Sequence, residues 1–255
     1  MLLEIRKFFF ALSFLTRLPV PVNLEYDEQL PSASTAYYPL VGAVIGLFLF
    51  LVDRLATMVL PVAVVNALIL TVLVYLSGGL HLDGFMDTID GIFSGRDKER
   101  ILEIMHDSRV GAFGVIALVL LLLLKFNLLL ELKGVFRAPV LILMPAISRW
   151  MVLFAAYRYP IAGSSKLAKT FTLFLGVKEV FQGLGWLIAL FFFLHYLFQF
   201  PYLIGIITFL LSWIMTIIIA RTVVNKIGGL TGDVYGAINE IIEVVTLLIF
   251  LIIRL

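Results

Sequence analysis

Residues 78–114 read GGLHLDGFMDTIDGIFSGRDKERILEIMHDSRVGAFG, and seven of the chain's 17 acidic residues fall inside them. On either side the charge disappears. Leu55–Leu80 is uncharged, and Val110–Leu130 is interrupted only by Lys125. About 20 apolar residues cross the roughly 30 Å of a bilayer's hydrocarbon, so the acidic island joins two membrane spans. Asp83, Asp87 and Asp90 recur at i, i+4 and i+7, which puts three carboxylates on one helix face. Leu82, Phe85, Met86 and Ile89 alternate with them and supply an apolar face. Like charges at this spacing destabilise an isolated helix by about 0.2–0.5 kcal/mol per pair. A bound divalent cation offsets that cost.

Composition agrees with a membrane protein. The 255 residues are 62% apolar and only 14% charged, with mean hydropathy +1.10; soluble domains run near half apolar and a quarter charged. The expected fold is all-α, a polytopic membrane helix bundle forming one domain over 1–255. The chain has no cysteine, which excludes disulfides, thiolate zinc sites and a cysteine nucleophile. Glu4 lies early and no small-residue cleavage site precedes Arg17, so no cleaved signal is expected. No nucleic-acid-binding signature is present.

The apolar run Phe8–Thr16 is too short to span and reads as an interfacial or re-entrant helix. Seven spans follow, at roughly 35–52, 60–80, 110–130, 138–157, 180–200, 201–220 and 237–253. Residues 158–179 and 221–236 read as loops, the second rich in glycine. With the N-terminus inside, 13 of the 19 Lys and Arg fall on the inner side and four on the outer. The remaining two, Lys125 and Arg149, lie within spans. That orientation places segments 78–114 and 221–243 together on the cytoplasmic face of an inner membrane. No repeat relates the two halves, which disfavours an inverted-repeat transporter.

Hard carboxylate oxygens at this density suit Mg²⁺ or Mn²⁺ and not a soft-ligand metal. Asp83, Asp87 and Asp90 are the expected ligands, with Asp87 and Asp90 also candidates for direct catalysis. Glu103 and Asp107 repeat the i, i+4 spacing and are candidate ligands from a second helix, although pairing with Arg100 or Arg109 explains them equally well. Asp97 and Glu99 belong to a charge-mixed solvated run. His81 is a candidate substrate contact, while His106 and His195 read as structural. The second segment, GGLTGDVYGAINEIIE at 228–243, joins a glycine-rich turn to a helix. Backbone amides in such a turn cradle anions. Gly228, Gly229, Thr231, Gly232, Asp233, Asn239, Glu240 and Glu243 are therefore candidate substrate-binding residues. Arg149, buried by position, needs an anion and joins them. Arg109 is a candidate catalytic phosphate partner through its planar fork. Carboxylates, a metal and an anion cradle at one membrane face point to phosphoryl or phosphodiester chemistry. The residues leave the substrate open. A cation transporter should carry its acids mid-span, and here they cluster at one face.

The chain resembles the cobalamin synthase family, the adenosylcobinamide-GDP ribazoletransferases. The resemblance rests on HLDGFMDTIDG at 81–91, LEIMHDSRVGAFG at 102–114 and GGLTGDVYGAINEIIE at 228–243, with FLTRLPVP at 14–21 and YYPLVGAVIG at 37–46. Phe85-Met86 and His106 depart from the family's usual residues without removing a carboxylate. The resemblance implies a multi-pass inner-membrane transferase using Mg²⁺. It would join α-ribazole or its 5′-phosphate to adenosylcobinamide-GDP and release GMP, the ribazole 5′ oxygen attacking. Oligomerisation is left open. The chemistry is similar to that of CDP-alcohol phosphotransferases, which remain the nearest alternative.

Overall fold

The computed structural model describes residues 2–21, 27–163 and 165–254. In chain order these form α1 (Leu2–Leu15), α2 (Leu30–Ser34), a 3₁₀ turn at Thr35–Tyr37, α3 (Tyr38–Ala56), α4 (Val62–Ser77), α5 (Leu80–Phe93) and α6 (Lys98–Met105). Then come α7 (Ala112–Glu131), α8 (Arg137–Arg158), α9 (Lys166–Thr172), α10 (Val177–Phe198), α11 (Tyr202–Ile227) and α12 (Gly232–Arg254). Among the described residues there is no strand, only one isolated parallel bridge between Ile161 and Leu230.

The bundle has two ends, and hydrogen bonds identify them. At the far end the Arg137 guanidinium donates to Asp53 at 2.8 Å, to Asn66 at 2.6 Å and to the carbonyls of Leu129 and Leu132 at 2.7 and 3.0 Å. One side chain thereby ties the end of α3, the starts of α4 and α8, and the end of α7. Phe200, between α10 and α11, packs edge-on to Phe136 at the same end. At the near end the Arg17 amide donates to Leu76, and Pro160 and Ala162 bridge to Leu230. Each of α3, α4, α7, α8, α10, α11 and α12 therefore runs between the two ends, as seven spans require. Six of these crossings are long and apolar enough on their own; α4 passes the test together with α5. α1 stays outside this count, since its 14 residues rise only about 21 Å.

Several boundaries move. Arg221 and Lys226 do not end α11, which continues to Ile227, and α12 begins at Gly232. The expected loop at 221–236 shrinks to four residues, because long basic side chains extend a helix beyond the hydrocarbon without breaking it. The expected loop at 158–179 contains α9. The acidic island differs most: α4 and α5 meet at 90°. Gly78 and Gly79 make that corner at φ +65° and +75°, a left-handed pair that side chains other than glycine's resist. α4 makes the crossing, and α5 turns flat across the near end.

Close backbone approach fixes the two contacts that matter most. α8 is the central helix, buried over most of its length. Gly42 and Gly46, a GxxxG pair on α3, lie against it: a methyl at Gly46 would sit 2.5 Å from the Ile142 Cα. Pro145 lacks the amide that would bond the Leu141 carbonyl, and Gly46 packs on that carbonyl. The second contact is α5 on α12. A methyl on Gly84 would lie 2.8 Å from the Asp233 Cα, and one on Gly236 2.9 Å from the His81 carbonyl. Two glycines thus let the two motif-bearing helices touch backbone to backbone.

Candidate functional site

The α5–α12 crossing brings the aspartates together. Along α5, Asp83 is exposed, Asp87 half-buried and Asp90 buried. Asp233 stands in the first turn of α12, which Thr231 caps: its hydroxyl accepts from the Val234 amide at 3.4 Å and donates to Asp233 at 3.1 Å. Burial and the facing carboxylates of Asp83, Asp233 and Asp90 push the Asp87 carboxyl up to about 7. His106, expected to be structural, is near enough to oppose this shift. The carboxylates of Asp83, Asp87 and Asp233 give the cleft its acidic character.

Asp90, expected as a ligand or base, is already engaged with the next helix. Its two oxygens accept from the amides of Gly111 at 3.0 Å and Gly114 at 2.9 Å. Those are the N-cap and third positions of α7, so a carboxylate from α5 caps another helix. Asp90→Asn should lower the thermal midpoint, at a cost of about 1–2 kcal/mol, yet leave measurable turnover at permissive temperature. Turnover as low as that of an Asp87 variant would return Asp90 to the catalytic group.

Other expected site residues lie elsewhere. Glu103 pairs with Arg100 at 2.6 Å on the exposed face of α6. Asp107 and Arg109 pair at 2.7 Å in solvent, and the hydrogen-bonded guanidinium holds the Asp107 carboxyl down to about 2. Each of these acids is thus paired with an arginine two or three residues away. The Gly228 amide is committed to Val224, and the neighbouring Leu230 amide to Pro160. Gly229 packs on Ile161 and Ala162. These two glycines thus serve chain packing, and of the expected cradle Gly232 and Asp233 stand at the cleft, with Thr231 buried behind them.

Asn239, Glu240, Glu243 and Arg149 form the larger correction. They lie inside the bundle, roughly 10–17 Å below the near end at about 1.5 Å per residue. Lys125 donates to Glu240 and to Glu243, each at 2.6 Å. Arg149 reaches Glu243 at 3.4 Å and Asn239 reaches it at 3.2 Å. Two cations meet two anions, so this network is formally neutral and joins α7, α8 and α12, while the Arg149 Nε and Nη2 and the Asn239 Oδ1 find no partner in it. Acids do stand mid-span, against the expectation, and each is paired with a buried cation.

Beside the aspartates a cavity of about 110 Å³ opens, and Asp83, Gly84, His81, Gly232 and Asp233 form one side of it. Sequence reading did not find its other walls, Phe14, Tyr38, Phe171 and Tyr235. Phe14 belongs to FLTRLPVP, Tyr38 to YYPLVGAVIG and Tyr235 to GDVYG, so three of the four lie in the segments that carry the resemblance. His81 is 6% exposed, and burial drives its imidazole well below its ordinary value, so it is neutral.

The residues fit a hard cation. Mg²⁺ at phosphoryl-transfer sites is held by one or two carboxylates plus substrate phosphates. Asp83, Asp87 and Asp233 supply such oxygens in the cleft. Among the described residues no three His, Asp or Glu side chains already close into a cage.

Fold and site together define a multi-pass membrane enzyme whose polar cleft lies at one end of a helix bundle. Residues 7–251 match the family described as Cobalamin-5-phosphate synthase. The chain belongs to that family and is a transferase of cobalamin biosynthesis. It is 40% identical to the adenosylcobinamide-GDP ribazoletransferase of Desulfitobacterium hafniense, with 96% of each chain covered. It is 39% identical to that of Desulforamulus reducens, over 95% of this chain and 94% of the relative. The corresponding protein of Clostridium botulinum is 38% identical, with 96% of each covered. No solved structure matches.

Proposed function

We propose that this chain transfers the adenosylcobinamide-phosphate group from adenosylcobinamide-GDP to α-ribazole or its 5′-phosphate, releases GMP, and needs Mg²⁺. The supporting observation is the α5–α12 crossing, which sets Asp83 and Asp87 from one segment against Asp233 from another. These three would hold the cation together with pyrophosphate oxygens. When bound, it neutralises charge on the leaving phosphate.

The protein's own residues orient the reactants. A bond forms between a ribose oxygen of the acceptor and the cobinamide-linked phosphorus, the phosphorus–oxygen bond to GMP breaks, and the hydroxyl proton passes to a cluster carboxylate. In this reading the attacking oxygen is a secondary ribose hydroxyl, since the 5′ oxygen is blocked whenever the acceptor is the 5′-phosphate and one attacking atom serves both acceptors.

The cleft faces the cytoplasm of an inner membrane in this reading, because the end bearing α5 and the start of α12 also carries most of the Lys and Arg. Purified full-length protein given adenosylcobinamide-GDP, α-ribazole and Mg²⁺ should release GMP in amounts equal to the cobalamin formed. No GMP from folded protein, or GMP without acceptor, would overturn the proposal.

A further inference from the structure

The 110 Å³ cavity has chemistry that the aspartates do not use. Phe14 and Phe171 meet at 4.2 Å between ring centroids, and Phe14 stacks on Tyr38 at 6.4 Å. Tyr235 closes the wall from α12. Two polar atoms in this apolar lining have no protein partner, the His81 Nδ1 and the Tyr235 hydroxyl. Buried polar atoms are seldom left so, and His81 is almost wholly buried. Asp83 and Asp233 stand at the same cavity.

We infer that this cavity seats the aromatic base of the nucleoside acceptor, with Phe171 stacking on it and Tyr235 hydrogen-bonded to its free ring nitrogen. The inference rests on the transferase reading above. Polarity selects this occupant. Benzene occupies an apolar cavity of about 150 Å³, so this smaller one, open to the cleft, takes only the edge of a flat ring system and excludes a corrin. Guanine, the other base in the reaction, presents several donors and acceptors, and two partnerless atoms cannot satisfy them. A dimethylbenzimidazole nucleoside has one free ring nitrogen and an otherwise apolar edge, which this lining matches. With the base seated, its ribose lies beside Asp83 and Asp233, where the attacking hydroxyl is required.

The test uses full-length protein in nanodiscs and measures GMP release while each substrate is varied in turn. Phe171→Ala should raise the KM for α-ribazole by roughly 5- to 100-fold, the range for loss of one base–aromatic stack, and leave the KM for adenosylcobinamide-GDP within about twofold. Phe171→Leu, a milder change, should give a smaller shift in the same direction. Wild-type protein should prefer α-ribazole over the indole ribonucleoside that lacks the free ring nitrogen, and Tyr235→Phe should erase that preference. An unchanged acceptor KM in folded Phe171 variants, a shift in the donor KM instead, or a preference that survives Tyr235→Phe overturns the inference while leaving the transferase reading intact. Wild-type protein that releases no GMP overturns the transferase reading itself.

Discussion

Asp87→Asn should cut GMP release by roughly 10²- to 10³-fold, the usual loss when one group that stabilises the transition state is removed, while the protein still folds. A second consequence comes from the cleft's charge. In metal-free protein the Asp87 carboxyl is raised from 3.8 to about 7 by burial and by its acidic neighbours. The folded state therefore binds a proton more tightly than the unfolded chain. Stability falls as pH rises through the window from about 4 to about 7, and is flat above it. Asparagine carries no such proton, so the variant's thermal midpoint should decline less across that window. Mg²⁺ added at pH 7.5 should raise the wild-type midpoint, because a ligand that binds only the folded state stabilises it; the variant should gain much less. Scanning calorimetry or a dye-based melt of detergent-solubilised protein reads all of this. Near-normal turnover in Asp87→Asn, or an equal Mg²⁺ gain in both proteins, would sink the assignment.

Much of this was legible in residues 78–114 before any coordinates. Apolar runs either side of an acidic island specify spans joined at one face. The i, i+4, i+7 aspartates specify a shared stripe, and both hold in the fold. The corner at Gly78-Gly79 was also visible as a glycine pair, but a span ending at Leu80 hid it, because hydropathy does not register backbone handedness. The aromatic cavity was not legible, since its four aromatic side chains come from four separated helices and only packing unites them. The buried network could have been found. Lys125 and Arg149 are isolated cations within spans, and Glu240 and Glu243 are the acids in the first turns of another. Charges in hydrocarbon pair with one another, so matching those four was a stronger inference than a substrate role. Asp90 shows the opposite limit: its spacing is indistinguishable from a ligand's, and only the glycine amides at the start of α7 reveal a cap.

That network supports the second large effect. Lys125→Met removes the cation shared by two glutamates. Glu243 keeps Arg149 and Asn239, but Glu240 is left with a marginal 3.5 Å contact from Asn239. Stranding a buried charge costs about 3–5 kcal/mol, a fall in thermal midpoint on the order of 10 °C for a chain of this size. The rescue pattern carries the information. Lys125→Met with Glu240→Gln leaves one cation and one anion in contact, Arg149 and Glu243, so most of the loss should return. Lys125→Met with Glu243→Gln leaves Glu240 and Arg149 each without a close partner of opposite charge, Arg149 keeping only the Pro145 carbonyl at 3.0 Å, and should stay destabilised, although its net charge is the same. Equal midpoints for the two double variants would mean that net charge, and not pairing geometry, sets the stability of the interior. Turnover separates structure from chemistry. If Glu240 serves only the network, the rescued double variant releases GMP within a few-fold of wild type at low temperature; a loss comparable to that of Asp87→Asn would place Glu240 back among the residues that touch substrate.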